Sequence, residues 1–92
     1  MAAPDLTEVQ TPAAFMTALR VYRALRGKPG YRLMAERCHQ ARTATPLRDA
    51  LISDDLPHLG MLRAILDGLQ ASQPDHAAFI AAWHRLTGGT SP

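Results

Sequence analysis

Two short amphipathic runs lie either side of a polar segment near the middle of the chain: Tyr31-Arg32-Leu33-Met34-Ala35-Glu36-Arg37-Cys38 and Thr45-Pro46-Leu47-Arg48-Asp49-Ala50-Leu51. In the first, Tyr31, Met34, Ala35 and Cys38 recur at the three- and four-residue steps that line one side of a helix, while Arg32, Glu36, Arg37 and Gln40 take the other side. The spacing predicts a helix from Tyr31 to about Gln40. After Ala41-Arg42-Thr43-Ala44, the pair Thr45-Pro46 supplies an N-cap residue and a proline for the first helical position. It opens a second helix that turns Leu47, Ala50 and Leu51 inward and is expected to stop by Asp54.

The flanking sequence builds helices around this pair. Upstream, Thr11-Pro12 repeats the cap-plus-proline start, and Phe15, Ala18, Leu19, Tyr22 and Leu25 form one inward stripe that Gly27-Lys28-Pro29-Gly30 ends. Downstream, Leu56-Pro57-His58 turns the chain into a helix carrying Leu59, Leu62, Ile65, Leu66 and Leu69, with Gly60 and Gly68 expected to weaken its ends. Ser72 with Asp75 three positions on has the form of a capping box, and Phe79, Ile80, Trp83 and Leu86 mark a last helix closing at Gly88-Gly89. The expected architecture is all-α: one compact bundle of about five helices over residues 11–87, containing a helix-turn-helix. Residues 1–10 are expected to form a flexible arm and 88–92 a flexible tail.

Composition narrows the class. A chain of 92 residues holds one core and no second domain. The single cysteine, Cys38, excludes an intrachain disulfide and reads as a small buried hydrophobe. No run reaches the roughly 18 apolar residues of a membrane span, and Met1 to Gln10, with Asp5 and Glu8, lacks the basic start and apolar stretch of a secretory signal. The expectation is a cytoplasmic protein. Abundant Ala, with nine Arg against the lone Lys28, points to a high-GC bacterial genome.

Net charge is only +2, yet it is unevenly placed. Arg20, Arg23, Arg26, Lys28, Arg32, Arg37, Arg42 and Arg48 stand against Glu36 alone, eight less one, so this segment carries +7 and the rest of the chain is acidic. Such asymmetry is expected of a polyanion-binding face, with a solvated helix surface as the alternative.

The order of a capped first helix, Tyr31-Arg32-Leu33-Met34-Ala35, a turn, and Thr45-Pro46-Leu47-Arg48-Asp49-Ala50-Leu51 resembles a lambda-repressor-like helix-turn-helix domain. The variant it is most similar to is common in actinobacterial regulators, where a Leu-Pro pair follows the third helix, matched by Leu56-Pro57, and a later helix carries spaced aromatics, matched by Phe79 and Trp83. The resemblance covers roughly residues 11–86. The chain departs from the family pattern at Gly30, where the family has Ser or Thr, in a longer turn between the second and third helices, and in Asp54 and Asp55, where relatives carry bases.

The resemblance implies a sequence-specific DNA-binding domain of a transcriptional regulator, its third helix in the major groove. Arg48 is then the candidate for guanine O6 and N7, with a solvated surface arginine, paired with Asp49, as the alternative; Arg32 is the candidate for a phosphate at the start of the second helix, and Thr43 or Thr45 for a hydroxyl contact. Lys28, Arg37 and Arg42 are candidates for the DNA backbone, each with an ordinary exposed charge as the alternative. Arg20 and Arg23 are set apart as candidates for a different face. Double-stranded DNA is the expected partner, and a homodimer suits two half-sites.

Catalysis is not expected. His39, His58, His76 and His84 lack ligand spacing, Asp54 and Asp55 are adjacent rather than facing, and no Gly-rich phosphate loop is present, so no metal or cofactor is assigned. His58 is most simply a helix-start residue. The alternative function is a protein-interaction or oligomerisation module on the same scaffold, suggested by the acidic edge of Asp49, Asp54 and Asp55 and by the exposed apolar candidates Val21, Leu33, Ile52 and Met61, each with an interior position as the equal alternative.

Overall fold

The computed structural model describes residues 6–38 and 43–88. Five α-helices follow one another, with no strand among the described residues: α1 (Pro12–Leu25), α2 (Tyr31–Arg37), α3 (Ala44–Ile52), α4 (Leu59–Gly68) and α5 (Gln73–Leu86). Three of them begin where a side chain meets an orphan N–H of the first turn. Thr11 Oγ1 accepts from Ala14 N at 3.1 Å, His58 Nδ1 from Met61 N at 3.2 Å, and Ser72 Oγ from Asp75 N at 3.4 Å. The helix-start reading of His58 therefore holds.

The two helices of the central pair begin without such a cap, at Gly30 and Thr43. Thr45 is thus not the cap expected of it. It is the second residue inside α3, and Pro46 is the third, a position whose N–H has no intrahelical partner, so proline is tolerated there. Helix α2 ends at Arg37, with Cys38 already extended, rather than running to Gln40. Gln40 and Arg42 lie outside the described residues.

Helix α4 packs against α2, α3 and α5, and α1 closes the bundle against α3 and α5. This central position explains why α4 buries Met61, Leu62, Ala64, Ile65 and Leu66 together. Met61 is consequently part of the core, the interior of its two readings. Phe79 of α5 meets Phe15 edge-on, with centroids 5.8 Å apart, and Tyr22 at 5.3 Å, so one aromatic joins α1 to α5. Leu47 and Leu51 bury α3, Met34 buries α2, and Cys38 is half-buried beside them.

The expected inward face of α1 holds at Phe15, Leu19 and Tyr22, with Ala18 half-buried, and differs at two positions. Met16 is fully buried, whereas Leu25 is 72% exposed. The side of the helix carrying Val21 and Leu25 is left uncovered. Gly68 also has a different role from the one read in sequence. A Cβ built there lies 2.7 Å from Met34 Cβ and 2.9 Å from Met34 O. Only glycine lets α2 seat so closely on α4.

Residues 6–10 are packed onto the helices. Leu6 is buried, Val9 half-buried, and Arg85 Nη2 donates to Leu6 O at 2.9 Å and Val9 O at 2.6 Å. The flexible-arm reading therefore does not extend to them. Residues 1–5 and 89–92 lie outside the described residues.

Candidate nucleic-acid interface

The basic segment divides into two sets. On α1, arginines three residues apart point at backbone carbonyls of other segments. Arg20 Nη1 donates to Leu51 O at 2.9 Å and Ser53 O at 3.2 Å, and its Nη2 donates to Asp54 Oδ1 at 3.0 Å. One guanidinium thus satisfies carbonyls at the C-terminus of α3 and holds the acid just beyond it. Arg23 Nε and Nη2 donate to Pro29 O at 3.0 and 2.8 Å, and the guanidinium lies 4.4 Å from the centre of the Tyr31 ring. Arg26 donates to Leu69 O and Gln70 O at the end of α4. These three cations fasten α3, the α1–α2 turn and α4 to α1, so the segment's +7 overstates the charge on any one outer face.

The second set is exposed. Lys28 stands in the turn, at φ +50 directly after Gly27 at φ +91, a left-handed pair that reverses the chain into α2. Arg32 lies on the outer side of α2 with Leu33 and Glu36. Neither Lys28 nor Arg32 has an ion-pair partner among the described residues. Arg37 is half-buried and lines a cleft with Asp67, Gln70 and Ala71. It faces the end of α4, a direction its place in a basic run did not reveal. Arg42 lies outside the described residues.

Helix α3 buries Leu47 and Leu51 and leaves Thr45, Pro46, Arg48, Asp49 and Ile52 exposed, with Thr43 exposed at its cap. Arg48 Nε lies 4.0 Å from Asp49 Oδ1, both side chains more than half exposed, so the pair is a loose surface contact. Thr45 and Asp49, two residues to either side of Leu47, are each about 200° around the helix from it and form the middle of the outward face. In sequence Asp49 reads as part of an acidic edge or as a surface partner of Arg48; the four-residue step from Thr45, opposite Leu47, is the signal for its central place.

Behind this surface the only buried charged side chain among the described residues is Asp75. Its carboxylate accepts from Tyr22 OH at 2.5 Å, tying α5 to α1 instead of completing a capping box at Ser72. Burial, then the bond to and charge of Asp75, push the Tyr22 hydroxyl up to about 12 from 10.0, against smaller opposing effects of Arg26 and the Ser72 N–H. Trp83 Nε1 donates to Pro57 O at 2.8 Å and pins the connection between α3 and α4.

Other surfaces offer less. A shallow groove along α5 is lined by Arg63, His76, Ile80 and His84 among others. Among the described residues no three His, Cys, Asp or Glu gather to hold a metal, and no helix is long and apolar enough to cross a membrane. No protein-family model, curated protein or solved structure matches the chain.

Proposed function

We propose that this chain is a sequence-specific DNA-binding domain of a bacterial transcriptional regulator, with α2 and α3 forming a helix-turn-helix and α3 entering the major groove. The observation that carries this reading is the outward face of α3. Among the described residues it leaves Thr45, Arg48, Asp49 and Ile52 exposed, while Arg20 holds the C-terminal end of the same helix. A helix held at that end with polar, forked and apolar groups in front suits the donor, acceptor and methyl pattern of base edges. Exposed, unpaired Lys28 and Arg32 supply the phosphate contacts, with Thr43 beside them in role. Arg37, directed at Asp67 and Gln70, is a weaker candidate for the DNA backbone.

The test is anisotropy of a labelled duplex titrated with protein at several salt concentrations. Each phosphate contact contributes a slope of roughly −0.9 in log affinity against log salt. Arg32→Ala should weaken all duplexes alike and lower that slope by about one contact, whereas Arg48→Ala should relax sequence preference. Absence of binding even at low salt refutes the proposal.

A second reading, a protein-interaction or oligomerisation module, draws on Val21 and Leu25, 52% and 72% exposed and one turn apart on α1. Sedimentation of wild type and a Val21→Ser/Leu25→Ser variant tests self-association through that face.

A further inference from the structure

Within the DNA-binding reading on which it rests, we infer that Arg48 and Asp49 act as one unit that reads a single C·G base pair. Asp49 is the specificity residue for cytosine. The sequence alone places an acid on a surface that must approach phosphates, where an unpaired carboxylate is repelled. The fold nonetheless sets it at the middle of the outward face of α3, two residues beyond Leu47 and four beyond Thr45, with no hydrogen bond to any other part of the described chain. Among the described residues its one neighbour of opposite charge is Arg48, whose Nε lies 4.0 Å from Oδ1.

The surface therefore presents an acceptor next to a forked donor. In the major groove a C·G pair presents the complement: the cytosine N4–H donor directly beside the guanine O6 and N7 acceptors. Arg48 supplies donors to O6 and N7, and Asp49 accepts from N4. Adenine fits worse, because its N6–H donor sits beside N7, an acceptor that opposes the carboxylate. Thymine and guanine offer no donor at that position.

The experiment begins with selection from a randomised duplex library, followed by competition with modified versions of the selected site. N4-methylcytosine removes the major-groove donor while keeping the base pair, and 7-deazaguanine removes N7. The expected result is that wild type requires one C·G pair by roughly 5- to 150-fold, the range of a good base contact. N4-methylcytosine at that pair weakens wild type but not Asp49→Ala, and 7-deazaguanine weakens wild type but not Arg48→Ala. Asp49→Ala also binds mismatched duplexes several-fold tighter than wild type, because a repulsive charge is gone; a merely structural role for Asp49 does not produce that gain. Thermal melting by circular dichroism shows that each variant is folded. If wild type selects a site but the modified cytosine weakens wild type and Asp49→Ala equally, or Asp49→Ala keeps the full preference, the inference is overturned while the DNA-binding reading stands. If wild type binds no duplex, both fall.

Discussion

Gly68→Ala tests whether the contact between α2 and α4 is as tight as the geometry requires. The added methyl would lie 2.7 Å from Met34 Cβ, 2.9 Å from Met34 O and 3.0 Å from Met34 Cα. None of these atoms is the far end of a flexible side chain, so α2 itself must retreat by more than half an ångström to reach ordinary contact. Overpacking of this kind costs about 1–3 kcal/mol. Alanine recovers up to about 1 kcal/mol of helix propensity, less at the last residue of a helix. The net expectation is a loss of about 1–2 kcal/mol, which for a domain of this size lowers Tm by roughly 4–16 °C. Urea unfolding followed by Trp83 fluorescence should show a lower midpoint at unchanged m-value. Gly30→Ala is the control, because a Cβ there meets nothing within 4 Å and only the preference of the cap is lost. A Gly68→Ala protein as stable as wild type would refute the argument and return Gly68 to an ordinary helix-end glycine. Because Met34 belongs to α2, the same variant is expected to shift α2 and reduce affinity for any duplex the protein binds.

Tyr22→Phe removes the donor to a buried carboxylate and should destabilise by about 1–3 kcal/mol in the same urea assay. The pH dependence has a definite sign: Tyr22 is held at about 12 in the folded state against 10.0 unfolded, so between those values the folded state binds more protons and stability falls as pH rises. The contribution is complete below pH 10.0 and is lost through about 12, a slope that Tyr22→Phe should lack. Arg20→Ala leaves Leu51 O and Ser53 O without their donor and should cost about 1–3 kcal/mol, with Arg20→Lys recovering only part because an ammonium lacks the guanidinium fork. Gly30→Ser should stabilise by a few tenths of a kcal/mol by capping α2, measured as a small rise in midpoint.

Local signals in the sequence were enough for the five helices. Thr11-Pro12 and Ser72 marked starts, and apolar steps of three and four marked the buried faces of α3, α4 and α5, because caps and periodicity act within a few residues of one another. Sequence left Val21, Leu33, Ile52 and Met61 open between surface and interior, and of these only Met61 is buried, while Leu25, read as inward, is exposed. Both stand at the margin of an apolar stripe, where burial depends on which neighbouring helix arrives. The loops and caps of α2 and α3 were harder, since neither start has a side-chain cap to announce it.

An all-helical chain, the order of its elements and a third helix with Arg48 on its exposed side thus follow from local residue patterns. Which charges remain available follows from packing. Arg20, Arg23 and Arg26 look the same in sequence as Arg32, Arg37 and Arg48, yet the first three meet carbonyls that come from 6 to 44 residues away. An arginine's role depends on what lies at the end of a long side chain, and most of those acceptors reach it only when the helices pack.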